Sequence, residues 1–275
     1  MPSFTPIFIP GLLCTELLFA KQRASLPNKG YIADTTRHDS IHEMALAALD
    51  LCDGQLVPIG LSMGGYVALE MARLAPQRMA AMALLSSNCR DDSAESQRQR
   101  QQAIALAKHK GFQGVTRRLM PRLLSEAALQ DETIVADVLA MAAEIGRIGF
   151  AQQQTAILGR RAQRDTLASF AAPILVLCGN MDVLTPPNLS VEMAGLAPQA
   201  ELWLDGGHNP AAGDAIAAGG GAGGGRELAV TGCGEGQCGA SPKGSGAAGP
   251  GGVGRGWCGG RGRARRGAGC TGAGR

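Results

Sequence analysis

The hexapeptide Gly60-Leu61-Ser62-Met63-Gly64-Gly65 stands between a short apolar run, Leu56 to Ile59, and a helical stretch, Met63 to Leu74. It has the form G-x-S-x-G at a strand-to-helix junction. In that setting the chain must turn sharply, so that Ser62 projects from the tip of a sheet. The flanking positions then need almost no side-chain volume, because the helix crosses close to the strand. The competing reading is a glycine-rich turn whose serine only caps the helix.

Outward from this junction, strands and helices alternate. Phe4 to Ile9 is an apolar run ended by Pro10-Gly11, and Tyr31-Ile32-Ala33 is a second strand candidate. A short helix is expected over Glu16 to Ser25. Ser40 caps a helix from Ile41 to Leu51, and a further strand is predicted from Met79 to Leu85, set off by Pro76. From about Ser93 to Arg164 there is no strand candidate. That segment is a run of helical stretches punctuated by Gly111, Gly114, Pro121, Gly146 and Gly159. Alternation resumes with a strand from Ile174 to Cys178, a helix from Asn188 to Leu196 and a strand from Glu201 to Leu204. The pattern argues an α/β architecture: a mostly parallel sheet covered by helices on both faces and interrupted by a helical insertion.

A serine hydroxyl is a weak nucleophile at neutral pH and needs a base and a group to orient that base. His38, His42 and His109 lie in a polar loop, in a helix and on a solvated helical face. His208 directly follows the last strand, in Leu204-Asp205-Gly206-Gly207-His208, at the strand-end rim expected for Ser62. Its alternative is a surface loop histidine. Asp182 holds the matching position after the preceding strand, with a turn or N-cap aspartate as the alternative. Asp205 is the runner-up, three residues from His208 and poorly placed to reach the outer imidazole nitrogen. Donors for a developing oxyanion are expected from the Met63 backbone N–H and the Leu12 N–H, with Gly11 permitting the turn. No cofactor or metal is called for.

Composition divides the chain. Of the 40 glycines in 275 residues, 25 fall in residues 213–275. The same stretch carries a net charge of +5, which leaves −2 on the first 212 residues. The longest apolar run, Met79 to Leu85, is far short of the ~20 residues that span a bilayer. No Lys or Arg precedes Lys21, which argues against a signal peptide. Cys14, Cys52, Cys89 and Cys178 show no CxxC pair and read as reduced thiols, consistent with a cytoplasmic protein.

Together, Ile9-Pro10-Gly11-Leu12-Leu13-Cys14, Gly60 to Gly65, Gly179-Asn180-Met181-Asp182 with Thr185-Pro186-Pro187, and Gly207-His208 resemble the α/β-hydrolase fold superfamily, in its small esterase-like branch with a helical cap. The order Ser62, Asp182, His208 is that of the superfamily. The departures are Pro10, where many members carry His before the oxyanion glycine, and a first strand that matches what is usually the third. The resemblance implies that Ser62 attacks an ester-like carbonyl, His208 shuttles the proton and Asp182 steadies the imidazolium. It also implies a small carboxylic ester, thioester or lactone as substrate. A catalytically silent binding protein of the same fold is the rival.

The expected organisation is a hydrolase domain over 1–212, with its core at 1–90 and 165–212 and a cap at about 91–164. Residues 213–275 form a low-complexity tail. The superfamily's last helix could begin at Ala211 to Ala218, but Gly219-Gly220-Gly221 ends it. Three readings compete for the tail: an out-of-frame stretch of a GC-rich coding sequence, a disordered extension, and an RGG-like nucleic-acid tail. The third lacks interleaved aromatics beyond Trp257. Neither nucleic acid nor membrane is the expected partner.

Overall fold

The apolar runs pair into one parallel sheet. The computed structural model describes residues 4–109, 112 and 114–205. The expectations on Gly111, on His208 and on residues 213–275 lie outside them. The strands are β1 (Phe4–Ile9), β2 (Tyr31–Ile32), β3 (Gln55–Leu61), β4 (Met82–Leu85), β5 (Ile174–Gly179) and β6 (Ala200–Asp205). The helices are α1 (Ala20–Ser25), α2 (Ile41–Leu49), α3 (Met63–Leu74), α4 (Ala94–Ala107), α5 (Glu126–Leu129), α6 (Glu132–Leu158), α7 (Arg164–Ser169) and α8 (Pro187–Leu196). Shorter 3-10 turns precede α1, β4 and α5.

The sheet order is β2-β1-β3-β4-β5-β6, with every pair parallel. The chain therefore leaves β1 in one direction, to β2, and returns past it to build outward from β3. The reversal leaves a crevice outside the strand ends between β1 and β3, where open α/β sheets hold ligands. The loops that leave β1 and β3 carry Leu12 and Ser62.

Alternate residues of β1 feed opposite cores, as the two-residue period of a strand requires. Ile7 and Ile9 pack with α2, α3 and α8, through residues such as Met44, Val67, Met71 and Met193. Phe8 faces the other way, against Phe19 at 5.2 Å between ring centroids, in a cluster that includes Leu61, Met120, Val135, Val138 and Met141. The described residues between β4 and β5 hold helices and no strand, as expected. Within that segment α6 breaks at Gly146, whose φ of +62° and ψ of −173° lie outside helical geometry. Glycine tolerates that conformation without a Cβ clash.

Several boundaries differ from the sequence reading, β3 for example running from Gln55 to Leu61 and not only from Leu56 to Ile59, and two of the differences have a visible cause. The predicted strand from Met79 begins only at Met82, because Pro76–Arg78 winds into a 3-10 turn and Met79 makes a single bridge to Leu56. The helix from Ile41 stops at Leu49, not Leu51. There the Arg78 guanidinium collects the carbonyls of Leu49 at 3.0 Å, of Gly54 at 3.2 Å and of Cys52. A cation on the last carbonyls is a favourable helix stop.

Closest of all is the crossing of α3 over the sheet. A Cβ on Gly64 would lie 2.0 Å from the Ile9 carbonyl oxygen, and one on Gly60 would lie 2.3 Å from the Gly64 carbonyl oxygen. Gly195, in α8, has nothing within 4 Å. Gly64→Ala should therefore cost about 3 kcal/mol or abolish folding. Gly195→Ala should be neutral or stabilise by up to about 1 kcal/mol. Urea midpoints of the two variants check this, and equal effects would contradict the packing described.

Candidate active site

Ser62 links the end of β3 to the start of α3 with φ +52° and ψ −109°. A non-glycine residue held in so sparsely populated a region costs about 1–3 kcal/mol and persists only where its surroundings enforce it. Three hydrogen bonds do so. The Ser62 N–H donates to the Leu85 carbonyl at 2.8 Å, while its own carbonyl accepts from the Ser87 hydroxyl at 2.8 Å and the Gly65 N–H at 3.0 Å. A Cβ on Gly65 would stand 2.2 Å from the Ser87 hydroxyl oxygen, so Gly65 makes room for that bond. Ser62 stays partly exposed between the buried Leu61 and Met63. Ser87, fully buried, is the supporting residue that the sequence reading missed. Its only signal is that the polar stretch Ser86-Ser87-Asn88 follows an apolar strand.

Met63 opens α3, so its N–H has no acceptor within the helix. Across the crevice, Gly11 to Cys14 forms a turn closed by the Cys14 N–H on the Gly11 carbonyl at 3.2 Å. The left-handed residue in it is Leu13, at φ +59°. The sequence reading gave the backbone freedom to Gly11. Gly11 does not use it, and its small size answers instead to close approach, since a Cβ there would lie 3.2 Å from the Leu61 carbonyl oxygen. The Leu13 N–H is taken by the Gln153 side-chain oxygen at 2.9 Å. The Cys14 thiol next to this turn is pushed by burial up to about 12, so it stays protonated at neutral pH.

Asp182 follows β5 and is 3% exposed. One carboxylate oxygen accepts the N–H groups of Leu184 and Thr185, each at 2.8 Å, and the other accepts the Thr185 hydroxyl at 2.8 Å. The turn role proposed as an alternative for Asp182 is therefore real, and it anchors the carboxylate. Gly179 pairs with Asp205, so the end of β6 lies beside the start of the loop that carries Asp182. Because the strands are parallel, Leu12, Ser62, Met63 and Asp182 all follow strand ends on one edge of the sheet. His208 and the Asp205 side chain lie outside what the structure describes.

A second buried carboxylate was not anticipated. Glu70 lies two turns along α3 and is 3% exposed. It receives both Nε (2.9 Å) and a terminal nitrogen (2.6 Å) of Arg73, Nδ1 of His42 at 2.9 Å and the Gln163 amide at 2.6 Å. Burial pushes the Glu70 carboxyl up, but hydrogen bonds from Arg73, His42 and Gln163 more than offset this and bring it down to about 2. Glu70 and Arg73 border a cavity of about 360 Å³ that Ser62 does not line. His42 is thus engaged on Glu70, away from the Ser62 edge.

A family model described as alpha/beta hydrolase fold matches residues 25–212. The chain belongs to the α/β-hydrolase fold family. A pimeloyl-[acyl-carrier protein] methyl ester esterase from Photobacterium profundum is 26% identical over 192 residues, covering 67% of this chain and 75% of that protein. A thermophilic esterase from Thermogutta terrifontis superposes with a TM-score of 0.68 at 24% identity, over 74% of this chain and 81% of its own. The enol-lactonase from Burkholderia xenovorans LB400 gives 0.63 at 20% identity, over 75% and 85%. These likenesses agree with the sheet order and with an enzyme of the α/β-hydrolase class. Among the described residues, no helix is long and apolar enough to cross a membrane.

The charge state of Glu70 gives stability a sign with pH. Its folded carboxyl sits below the ordinary glutamate value of about 4.3, so its contribution is full above that value and is lost as pH falls toward 2. Asp92 shifts the same way: burial raises it, but the hydrogen bonds from Arg160 and Arg100 outweigh that and leave it below the ordinary aspartate value. Glu70→Gln should lose on the order of 2 kcal/mol at pH 7, with the difference from the unaltered protein shrinking steadily between about pH 5 and pH 2. Urea titrations at pH 7, 5 and 3 check this. A pH-independent difference would show that the Glu70 charge is not what the network stabilises.

Proposed function

We propose that the chain is a serine hydrolase that cleaves a small carboxylic ester, thioester or lactone through an acyl-enzyme. The observation that carries this is the enforced φ of +52° at Ser62. Three hydrogen bonds and three glycines maintain a conformation that a merely capping serine would not need, at the sheet's switch point. In this mechanism the Ser62 hydroxyl attacks the carbonyl carbon and His208 accepts its proton. The N–H groups of Leu12 and Met63 stabilise the oxyanion, a contribution of about 2.7–4 kcal/mol per donor where measured. Collapse expels the alcohol or thiol, which takes the proton back from His208. Water then repeats the sequence on the acyl-enzyme and frees the acid.

Asp182 suits the role of orienting acid. Its partners among the described residues are neutral N–H, hydroxyl and thiol groups, so its charge is fixed in place and remains available to an imidazolium. The named relatives act on a methyl ester and an enol-lactone, which supports the ester and lactone class for this chain. Beside the Leu12–Leu13 turn, Phe112 and Phe150 stack at 4.6 Å between centroids, with Ala142 and Ile145 near them. The division into core (1–90 and 165–212), cap (about 91–164) and tail (213–275) belongs to the same proposal. It is supported by the strand-free segment between β4 and β5 and by a family match that ends at 212. A cytoplasmic, reducing location is supported by four free cysteines among the described residues.

A fluorophosphonate probe should label the protein once, at Ser62, and Ser62→Ala should abolish both labelling and hydrolysis of p-nitrophenyl acetate. Asp182→Asn should retain the fold and lower kcat by at least about a hundredfold. Absence of labelling in the unaltered protein would favour the silent binding protein, and labelling that survives Ser62→Ala would place the nucleophile elsewhere.

A further inference from the structure

Ser87 lies fully buried just beyond the end of β4, and its hydroxyl donates to the Ser62 carbonyl at 2.8 Å. The backbone around it is strained and held. Ser86, the residue before it, has a φ of +42°, in a region that residues with side chains rarely occupy. The Ser86 N–H is fixed on the Leu177 carbonyl at 2.8 Å. On the other side, the Asn88 amide donates to the Tyr66 hydroxyl at 3.1 Å and its oxygen accepts the Arg90 N–H at 2.9 Å. Ser87 is thus fastened from both directions, and it reaches Ser62 past Gly65, where a Cβ would stand 2.2 Å from its hydroxyl oxygen.

The carbonyl that it meets is bonded differently from its counterparts elsewhere in the fold. In α2, α4 and α6 the residue before the helix gives its carbonyl to the N–H four positions on: Ser40 to Met44 at 3.0 Å, Ser93 to Gln97 at 2.9 Å and Asp131 to Val135 at 3.1 Å. The Ser62 carbonyl accepts from Gly65, three positions on, at 3.0 Å, and takes the Ser87 hydroxyl from outside the helix. That is the bonding of a carbonyl tilted from the ordinary α-helical direction. The Ser62 carbonyl and the Met63 N–H belong to one peptide unit, a rigid trans plane in which they point opposite ways. Whatever sets the tilt of that carbonyl therefore sets the direction of the Met63 N–H.

We propose that Ser87 is a positioning residue for acyl transfer: by holding the Ser62 carbonyl, its hydroxyl aims the Met63 N–H at the oxyanion. A donor on the carbonyl also polarises the peptide and strengthens its N–H as a donor at the other end. The proposal rests on the hydrolase reading above and adds that the oxyanion donor next to the nucleophile is set from the loop after β4, not by α3 alone.

The test sets the full-length protein beside Ser87→Ala, which removes the donor and little else. Thermal melts check folding, and two quantities are read: kcat/KM on p-nitrophenyl acetate, and fluorine NMR of the adduct with hexyl trifluoromethyl ketone. In that adduct the Ser62 oxygen has bonded to the ketone carbon, its proton has passed to His208, and the hemiketal oxygen stands where the oxyanion would. The pH at which this oxygen ionises measures how well the N–H groups stabilise its charge. Ser87→Ala should lower kcat/KM about tenfold to a hundredfold and raise the hemiketal ionisation by about one to two pH units. Ser87→Cys, whose thiol donates only weakly, should fall between the two proteins, and it serves in the same comparison if the alanine variant does not fold. The proposal is overturned if the unaltered protein is active and Ser87→Ala keeps kcat/KM within about threefold. A loss of activity with the hemiketal ionisation unmoved also overturns it, since Ser87 would then only seat the nucleophile. An unaltered protein that neither hydrolyses esters nor takes the fluorophosphonate overturns the hydrolase reading, and this role with it.

Discussion

Where α3 crosses the sheet, two backbones approach so closely that no side chain fits between them. The Gly64 Cα faces the Ile9 carbonyl, with room for a hydrogen but not for a methyl group. That contact brings the first turn of α3 down onto the ends of β1 and β3 at the position where the sheet reverses direction. Much follows from it. The chain leaving β3 has no space for a gradual bend, so Ser62 must take the positive φ, and Gly60 must be small because the helix carbonyl above it is near. The loop after β1 lies close to Leu61, so that a Cβ on Gly11 would make a tight 3.2 Å contact with the Leu61 carbonyl oxygen. Protein interiors are close-packed enough that a geometry fixed at one such contact is transmitted to its neighbours.

The helical insertion is built onto this same end. Met120, Val135, Val138 and Met141 pack with Phe8, Cys14 and Leu61, so the insertion is seated on the two strands that flank the crevice. Its polar contacts run to the loops. Gln153 reaches Leu13 and Thr35, while the adjacent Gln154 accepts from Arg100 of α4, which pairs with Asp92. Two neighbouring buried glutamines thus divide their work, one fastening the insertion to the sheet and the other fastening its own helices together. The apolar contacts give the insertion its adhesion, and the hydrogen bonds set its register.

Much of this was legible in the sequence wherever the cause is local. The strands are short, nearly continuous apolar runs because both faces of a parallel sheet are covered, and α3 was bounded at Met63 and Leu74 by a sharp turn and by Pro76. The turn role given as the alternative for Asp182 was legible from its place just after a strand, and the Thr185 N–H does close that turn. What escaped was set by residues distant in sequence. Nothing in Pro10-Gly11-Leu12-Leu13 marks the second leucine as left-handed, and its acceptor lies 140 residues away. Ser87 supports Ser62 from just beyond the next strand, 25 residues on, and Glu70 is held by His42 and Gln163 from two other segments. A lone acid in an apolar helix could have flagged Glu70, since an unpaired charge would not be tolerated there.

Glu70 and Asp182, both buried, show how environment separates a charge neutralised by its partners from the one proposed as the orienting acid. Glu70 is met by the Arg73 fork, so its charge is neutralised where it stands, and its hydrogen-bonding capacity is filled by Arg73, His42 and Gln163. Such a group braces α3 and has little left to offer a passing cation. Asp182 is equally buried, yet the groups that hold it among the described residues are neutral dipoles. They fix its position without cancelling its charge. A buried carboxylate held by dipoles alone exerts a strong field on whatever lies next to it, because the low dielectric around it screens so little. For a neighbouring imidazole that field favours the protonated form, which arises only while a proton is in transit from a nucleophile to a leaving group. Burial by itself therefore does not single out the acid of a proton relay, for Glu70 is as buried as Asp182. The charge of its partners is what favours Asp182 over Glu70 in the proposed relay.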